Sequence, residues 1–318
     1  MSKIFLTGGT GFFGKSLLDM LLDGFRQETE FVILSRDPQR FLLDHPAYAR
    51  LKQVRFISGD VRSFDFPEEN FDSIIHAATP AVTTLAPGEM RSIILEGTRR
   101  TLDFARFCGA KKILFTSSGA VYGPLPPGMM QVSEDFPCAP VTEYGIAKLE
   151  AEKMCLESGI PARIARCFAF TGPRLNLDIH FAIGNFIRNG LNREPIIIKG
   201  DGTPYRSYLY ADDLIRWLFA VLDCPRENAI FNIGSPEGLS IAALARRTAL
   251  HFDPPPPVKI LGTPVSGIPP SVYVPDVSLI RRELKVVMEN DLDQSIEKTI
   301  RAAAVIRKSS PSHGPELS

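Results

Sequence analysis

The sequence has few cysteines, no long apolar run and no excess of either charge. Its five cysteines among 318 residues are scattered and form no CxxC pair; this pattern argues against a disulfide framework or a zinc site and favours a reducing compartment. The 36 basic side chains balance 36 acidic ones, so composition gives no support to nucleic-acid or anionic-membrane binding. We therefore expect no metal, no nucleic acid and no membrane partner.

No stretch reaches the roughly 18 consecutive apolar residues that a membrane helix requires. The N-terminal segment KIFLTGGTGFFG is interrupted by glycines before the apolar core of a signal peptide could form. Together with the scattered cysteines, this predicts a cytoplasmic protein. The hydrophobic share of 44% excludes a disordered chain, and the length predicts about two domains.

Short apolar runs alternate with amphipathic stretches through the first half of the chain, which is typical of βαβ units. The runs KIFLT, EFVILS, FDSIIHAA and KKILFTSS are continuous rather than alternating, as in parallel strands that are covered on both faces. The predicted fold class is α/β, a Rossmann-type doubly wound parallel sheet with a smaller C-terminal α/β substrate domain. We place the first domain at 1–170, with about 205–235 returning to it, the second mainly at 171–308, and a flexible tail at 309–318.

The strongest single signal is a glycine-rich turn between the first strand and the first helix. Gly8 fits a turn too tight for a Cβ, Gly11 lets the backbone approach a pyrophosphate, and Gly14 lets the helix pack close to the strand. The N–H groups at the start of that helix then face the anion. The turn predicts a dinucleotide cofactor.

The end of the second strand bears on which dinucleotide binds. A carboxylate usually follows this strand when the cofactor is NAD, but here the chain has Ser35 and Arg36. A hydroxyl and a guanidinium can hold the extra phosphate of NADP by charge-assisted hydrogen bonds. NADP(H) is therefore favoured, with Arg40 as a weaker second cation. NAD(H) stays open, with Arg36 then a solvated surface charge.

A tyrosine and a lysine four residues apart predict acid–base chemistry. On a helix, Tyr144 and Lys148 lie on one face, and an ammonium beside a phenol stabilises its phenolate. The pair follows a hydroxyl-rich strand end at 116–118. An isolated YxxxK pair is common by chance, so the prediction depends on the position of this pair after the hydroxyl-rich strand end.

Taken together, these stretches resemble the extended short-chain dehydrogenase/reductase family, in its NAD-dependent epimerase/dehydratase group that modifies nucleotide sugars. The resemblance covers nearly the whole chain and rests on TGGTGFFG, SGDV, HAAT, FTSSGAVYG, YGIAK, FAFTGPR, GDGTPYRSYLYADDL and FNIGS in that order. It implies that Tyr144 is the acid/base, that Ser118 binds the reacting sugar oxygen, and that Lys148 holds the nicotinamide ribose and lowers the pKa of Tyr144. Arg206 would pair with the substrate diphosphate.

The resemblance also implies two sets of binding residues. The cofactor would contact Gly8, Thr10, Gly11, Phe12, Phe13, Gly14, Ser35, Arg36, Asp60, Val61, Ala77, Ala78, Thr79, Thr116, Tyr144 and Lys148. The substrate would contact Ser118, Gly119, Ala169, His180, Phe181 and Arg206. For His180 a solvated loop residue is the preferred explanation, and Phe181 could stack on a base, although an aromatic residue here more often belongs to the core.

The chain departs from the family pattern at four places. Members that dehydrate the sugar have an Asp-Glu pair where Gly119 and Ala120 stand, and neither of these residues can move a proton. An asparagine is common in place of Ala169 and another in place of Ile94, and a second phosphate-binding arginine is missing from 268–276. The usual diphosphate contacts are therefore incomplete, and another nucleotide or a changed pose stays open.

Two enzyme activities and one non-catalytic role compete. The leading hypothesis is NADPH-dependent reduction of a nucleotide-linked 4-keto-6-deoxyhexose; the alternative is a nucleotide-sugar 4-epimerase with tightly held NAD. A non-catalytic dinucleotide sensor on the same fold is a third. By resemblance we also expect a homodimer through the helices at 93–108 and 144–156, with Phe104 and Phe107 at the contact or, alternatively, in the protomer's own core.

Overall fold

The computed structural model describes residues 2–79, 86, 88–177 and 182–309. The strands are β1 Ser2–Thr7, β2 Thr29–Ser35, β3 Val54–Ser58, β4 Ser73–His76, β5 Lys112–Ser118, β6 Ala162–Cys167, β7 Phe170–Thr171, β8 Ile196–Ile198, β9 Tyr205–Arg206, β10 Leu209–Tyr210, β11 Ala229–Ile233, β12 Leu239–Ser240, β13 Val258–Ile260 and β14 Val272–Tyr273. The helices are α1 Phe12–Leu22, α2 Pro38–Asp44, α3 Glu89–Phe107, α4 Glu143–Leu156, α5 Ala182–Leu191, α6 Ala211–Leu222, α7 Ile241–Ala249, α8 Ser278–Leu284 and α9 Leu292–Ser309, with 3-10 helices at Pro46–Arg50 and Gly119–Tyr122.

A parallel sheet of seven strands in the order β3-β2-β1-β4-β5-β6-β11 organises the molecule. The chain runs outward in one direction from β1 to β3 and in the other from β4 onward. In such sheets ligands bind beyond the carboxyl ends of the strands where the order reverses, between β1 and β4. The Rossmann-type fold class predicted from the sequence is confirmed.

Helices cover both faces of this sheet because successive strand residues point to opposite sides. Ile4 and Leu6 of β1 join a core that includes Trp217 of α6. Phe5, between them, joins the opposite core, where Phe104 of α3 packs. Both faces are therefore apolar, as the continuous hydrophobic runs require.

Several C-terminal elements form a third core, separate from the two that cover the sheet. Ile187 of α5, Ile196 of β8, Leu244 of α7 and Ile296 of α9 are buried together there. Within the range predicted as mainly substrate domain, α8 packs instead on the first core, through the fully buried Ile280. The domain boundaries stay a prediction.

Local signals account for the start of α4, which carries the predicted acid/base. The helix begins at Glu143 because Thr142 caps it by accepting a hydrogen bond from the Gly145 N–H at 3.1 Å. The predicted tail lies almost wholly outside the described residues. No helix within the described ranges is long and apolar enough to cross a membrane.

Candidate active site

The glycine-rich turn brings β1, α1 and β4 into close contact. Gly8 has a φ of +79°, and a Cβ there would lie 2.4 Å from the Ala77 carbonyl oxygen. A Cβ on Gly14 would lie 2.1 Å from the Gly9 oxygen, and one on Gly9 would lie 2.2 Å from Ile33. Glycine is thus required at all three positions, and Gly9 is one that the sequence analysis missed.

The N-terminus of α1 is open at this turn. Gly11 is its N-cap residue, no side chain caps it, and a Cβ on Gly11 would meet nothing closer than 3.4 Å. The first N–H groups of a helix have no partner within the helix. The predicted contacts Thr10, Phe12 and Phe13 adjoin it, so these residues fit an anionic pyrophosphate.

The end of β4 supplies the other wall of the crevice. Ala78 donates its N–H to the Thr7 hydroxyl at 3.3 Å, which fixes the 77–79 segment against β1. His76 is buried between the hydroxyls of Thr7, at 2.7 Å, and Thr98, at 3.1 Å. Burial lowers the pKa of His76 to about 3, so this histidine is a neutral structural residue.

The end of β2 exposes a cation without a carboxylate partner. Ser35 is buried and Arg36 exposed, and no carboxylate of the described residues forms an ion pair with Arg36. Its neighbours are already paired: Arg62 with Asp60 at 2.9 Å, and Arg40 with Asp44 at 3.1 Å. Arg36 acts on Asp60 only at a distance, as a charge that adds to the hydrogen bond from Arg62 in lowering the pKa of that carboxyl, so it is the cation of these three that has no direct ion pair with a described carboxylate.

Ser118, Tyr144 and Lys148 come together at the carboxyl end of β5. Lys148 donates to the Thr116 carbonyl at 2.8 Å and to the Thr79 hydroxyl at 2.7 Å. The approach of α4 depends on Gly145, where a Cβ would lie 2.6 Å from the Ala120 oxygen. The three predicted catalytic side chains thus share one site with Thr79 and Thr116, two predicted cofactor contacts.

The two titratable groups of the site have shifted pKa values. Burial lowers the pKa of Lys148 to about 8. Burial also raises the pKa of Tyr144, and the Ser118 hydroxyl, which can donate to the phenolate, opposes that rise. The lowering of the Tyr144 pKa that was expected from Lys148 is not found in the chain alone, because the ammonium points to Thr79 and Thr116.

A buried ion pair fastens α4 to the sheet behind the site. Glu152, one turn beyond Lys148, pairs with Arg166 of β6 at 2.9 Å, with side chains only 2% and 6% exposed. The Ser117 hydroxyl donates to the same carboxylate. Two turns of α4 are therefore joined to β5, through Lys148 at Thr116 and Glu152 at Ser117, and these contacts hold Tyr144 of the same helix beside Ser118.

Tyr273 of β14 is a site residue that the sequence analysis missed. Its phenolic oxygen lies 3.1 Å from the Ser118 hydroxyl, and it donates to the Cys167 carbonyl at 3.2 Å. Its segment was considered only for a missing arginine, and no local pattern connects it with a serine 155 residues away.

Arg206 faces the same cleft without a carboxylate partner among the residues described. It donates to the Tyr205 carbonyl at 2.7 Å and to the Ser271 carbonyl at 3.3 Å, and it lies 5.9 Å from the centre of the Tyr273 ring. Burial lowers the pKa of Arg206. A half-buried guanidinium held by neutral groups is suited to an anionic ligand.

The other predicted substrate residues differ in their surroundings. Gly119 is packed so tightly that a Cβ would lie 2.7 Å from the Phe168 ring. Ala169 is half-buried beside the third core, and its carbonyl oxygen accepts a hydrogen bond from the Leu209 N–H at 3.1 Å. His180 and Phe181 lie outside the described residues.

The two phenylalanines considered for a dimer contact have different environments. Phe104 is fully buried in the protomer's own core, with the Phe5 ring centre 4.6 Å away, so placing it at a partner contact was wrong. The reason is that rings from β1 and the loop after β3 surround it. Phe107 is 58% exposed.

A doubly wound sheet with an open, glycine-lined helix N-terminus at its switch point defines a dinucleotide-binding α/β protein, and the serine, tyrosine and lysine beside it define an enzyme of the short-chain dehydrogenase/reductase type. The chain belongs to the NAD dependent epimerase/dehydratase family, whose family model matches residues 4–234. The family predicted from the sequence is confirmed, and with it a nicotinamide dinucleotide as cofactor.

Curated relatives and solved structures agree with this assignment. The chain is 29% identical over 291 residues to an uncharacterized UDP-glucose epimerase, YtcB, of Bacillus subtilis, covering 82% of this chain and 87% of that one. It is 29% identical over 299 residues to UDP-glucuronic acid decarboxylase 6 of Arabidopsis thaliana, covering 89% and 83%. A UDP-N-acetylglucosamine 4-epimerase structure from Methanobrevibacter ruminantium has the same fold, with a TM-score of 0.83 at 20% identity over 96% of this chain and 99% of that one.

Proposed function

We propose that the protein is an NADPH-dependent reductase of a nucleotide-linked 4-keto-6-deoxyhexose. The observation that carries the proposal is the convergence of Ser118, Tyr144 and Lys148 at the carboxyl end of β5, beside the open N-terminus of α1. A proton donor, an orienting hydroxyl and a buried cation are the protein groups that reduction of a carbonyl requires.

Each of the three side chains has a distinct task. Tyr144 stays protonated at neutral pH, because burial raises its pKa, and gives its proton to the oxygen that becomes the new hydroxyl. Ser118 donates a hydrogen bond to that oxygen. Lys148 holds the ribose, and its positive charge stabilises the phenolate that remains when Tyr144 has given up its proton. When bound, the reduced nicotinamide supplies the hydride.

The preference for NADPH rests on the end of β2. Arg36 is exposed and has no ion-pair partner in the described part of the chain, whereas Arg40 and Arg62 are paired. No carboxylate follows β2 directly to repel a 2′-phosphate. A charge-assisted contact from Arg36 to that phosphate would favour NADPH.

A nucleotide sugar as substrate is supported by Arg206 and by the relatives. Arg206 lies 5.9 Å from the centre of the Tyr273 ring, and the hydroxyl of that ring lies 3.1 Å from Ser118, so one ligand can present a sugar to Ser118 and a phosphate to Arg206. The relatives named above are described as acting on UDP-linked sugars. Because Ala169 stands where the family often has an asparagine, fewer residues would assist Arg206 in binding the diphosphate.

Dehydration is disfavoured by the packing after Ser118. Elimination needs an acid and a base beyond Tyr144, and at Gly119 even a Cβ would lie 2.7 Å from Phe168. Ala120 carries no titratable group. The site can therefore move one proton at one oxygen, as reduction requires.

The second candidate is a 4-epimerase that keeps NAD bound. It is favoured by the described activities of relatives such as the Bacillus subtilis protein and uses the same three side chains. It differs in its cofactor balance: an epimerase oxidises and re-reduces the sugar and consumes no cofactor.

One assay separates these activities. The purified protein is incubated with NADPH and, in parallel reactions, with a 4-keto-6-deoxy nucleotide sugar or an intact nucleotide hexose, while nicotinamide absorbance and the sugar NMR spectrum are followed together. We expect stoichiometric loss of NADPH and a 4-hydroxy product. Interconversion of two hydroxy sugars without net loss of NADPH would support the epimerase, and formation of a 4-keto-6-deoxy sugar from an intact hexose would contradict both.

We further propose that the protein works as a homodimer in a reducing cytoplasm. The helices α3 and α4 lie side by side and present Phe107 and Ile146, which are 58% and 40% exposed. All five cysteines are free thiols. A monomeric mass by light scattering at micromolar concentration would reject the dimer.

A further inference from the structure

Tyr273 contacts the catalytic serine from outside the sheet that carries it. Its phenolic oxygen is 3.1 Å from the Ser118 Oγ and donates to the Cys167 carbonyl oxygen at 3.2 Å. The Ser118 Oγ also accepts the Ala120 N–H at 3.1 Å. The serine is therefore held by a main-chain donor on one side and a phenol on the other.

The phenol is fixed in place by its surroundings. In the register of β14 and β9, Tyr273 pairs with Arg206, and its ring lies 4.7 Å from the Phe168 ring. Phe168 in turn packs against Gly119, which has no room for a Cβ. Burial raises the pKa of Tyr273, so the phenol keeps its single proton at neutral pH.

The number of protons available to these groups determines the direction in which the Ser118 hydroxyl donates. The Cys167 carbonyl only accepts and the Ala120 N–H only donates, whereas each hydroxyl has one proton. While Tyr273 donates to Cys167, its oxygen accepts the proton of Ser118, which then points away from Tyr144. If Tyr273 turns its proton to Ser118, the serine oxygen has two donors and its own proton must point into the site.

We propose that Tyr273 is a positioning residue that sets the direction in which Ser118 donates its proton. In the free enzyme Ser118 donates to Tyr273; with a sugar carbonyl oxygen bound, Tyr273 donates to Ser118 and Ser118 donates to the sugar. This inference rests on the proposed function, in which Ser118 binds the reacting oxygen. Tyr273 itself need not touch the substrate.

A double-mutant cycle tests whether Tyr273 acts through Ser118. The enzyme and the variants Tyr273→Phe, Ser118→Ala and the double variant are compared with a 4-keto-6-deoxy nucleotide sugar and NADPH. We expect Tyr273→Phe to lower kcat about tenfold, less than the roughly 10²–10³-fold cost of removing a direct donor. On the Ser118→Ala background the same change should cost less than about twofold, because coupled residues are not additive.

Two outcomes of the cycle would overturn the proposal. An equal loss of kcat in both backgrounds would show that Tyr273 acts independently of Ser118. Wild-type activity in Tyr273→Phe would show that the contact between the two hydroxyls does not contribute to turnover. Tyr48→Phe is the matched control, since it removes another hydrogen-bonded phenol, donating to Asp19 at 2.8 Å. It should leave kcat within about twofold, because Tyr48 belongs to the core around Trp217 and does not contact Ser118, and separate sites act independently.

A second measurement does not depend on turnover. Tyrosine labelled with ¹³C at Cζ reports the hydrogen bonding of each phenol by NMR at pH 7, and Tyr144→Phe identifies the Tyr144 signal. Without the Tyr273 oxygen, the Ser118 proton has Tyr144 as its acceptor, so the Tyr144 resonance should shift in Tyr273→Phe but not when Ser118 is also alanine. An unchanged resonance, or the same shift in both backgrounds, would refute the proposal. Absence of reductase activity in the wild type would refute the proposed function alone.

Discussion

The Glu152 carboxylate of α4 and the Arg166 guanidinium of β6 form an ion pair that is almost completely buried, with 2.9 Å between Oε2 and Nη2. Arg166 lies 4.9 Å from the centre of the Tyr122 ring, and the Ser117 hydroxyl donates to the carboxylate. The pair joins the helix of Tyr144 to the strand next to the one that ends in Ser118. The ion pair therefore holds α4, and with it Tyr144, against the sheet.

Removing one partner of this pair should destabilise the protein. Glu152→Ala leaves Arg166 as an uncompensated buried charge, which typically costs about 3–5 kcal/mol. Glu150→Ala is the matched control, because its pair with Arg91 is at the surface, with side chains 39% and 46% exposed, and such pairs are worth about 0–1 kcal/mol. Urea unfolding of both variants measures the difference; equal midpoints would contradict it.

Buried Lys148 should make stability depend on alkaline pH. Its pKa falls from the ordinary 10.5 to about 8 in the folded protein, so below pH 8 it is protonated in both states and the burial penalty is fully present. Between pH 8 and 10.5 the unfolded state binds the extra proton, and the free energy of unfolding rises with pH.

We expect this rise to be roughly 3 kcal/mol over that range, relative to Lys148→Met. Chemical unfolding at several pH values, without added cofactor, measures it. Lys111→Met, at a side chain 78% exposed, should follow the wild-type curve. Parallel curves for wild type and Lys148→Met would contradict the burial of a charge here.

Arg36 should decide the cofactor preference. Its loss in Arg36→Ala removes one charge-assisted phosphate contact, worth about 1.5–3 kcal/mol, and should weaken NADPH about 10- to 100-fold while leaving NADH unchanged. Arg40→Ala is the control, because its guanidinium is paired with Asp44. Titrations of both cofactors measure the effect; equal affinity of the wild type for both would favour the epimerase.

Tyr144→Phe should separate chemistry from binding. The ring remains and only the transferable proton is lost, so turnover should fall by about 10²–10⁴ while NADPH affinity stays within about threefold. If the variant kept activity within a few-fold of wild type, a residue other than Tyr144 would be the proton donor. Cofactor titration on the same preparation shows that the site is intact.

Gly119 should tolerate no side chain. In Gly119→Ala the new Cβ would lie 2.7 Å from the Phe168 ring, and overpacking of this kind costs about 1–3 kcal/mol. Gly200→Ala is the control, because a Cβ there meets nothing within 4 Å. Thermal unfolding measures stability, and equal melting temperatures would show that Phe168 moves freely.

Local features of the sequence were enough to predict the sheet, and they marked the glycine-rich turn and the Tyr144–Lys148 pair as candidate site elements. Strand hydrophobicity, the glycines at Gly8 and Gly14 and the four-residue spacing of Tyr144 and Lys148 are short-range patterns with direct geometric consequences. The family resemblance then supplied Ser118 and Arg206. These residues do lie around one cleft.

Tertiary structure alone decided which distant groups meet. Tyr273 reaches Ser118 across 155 residues, Arg166 pairs with Glu152 from another strand, and Phe104 turns into its own core, because each contact depends on how separate elements pack rather than on neighbours in sequence. The pKa of Tyr144 likewise rises where the sequence predicted a fall, since its burial depends on the whole fold.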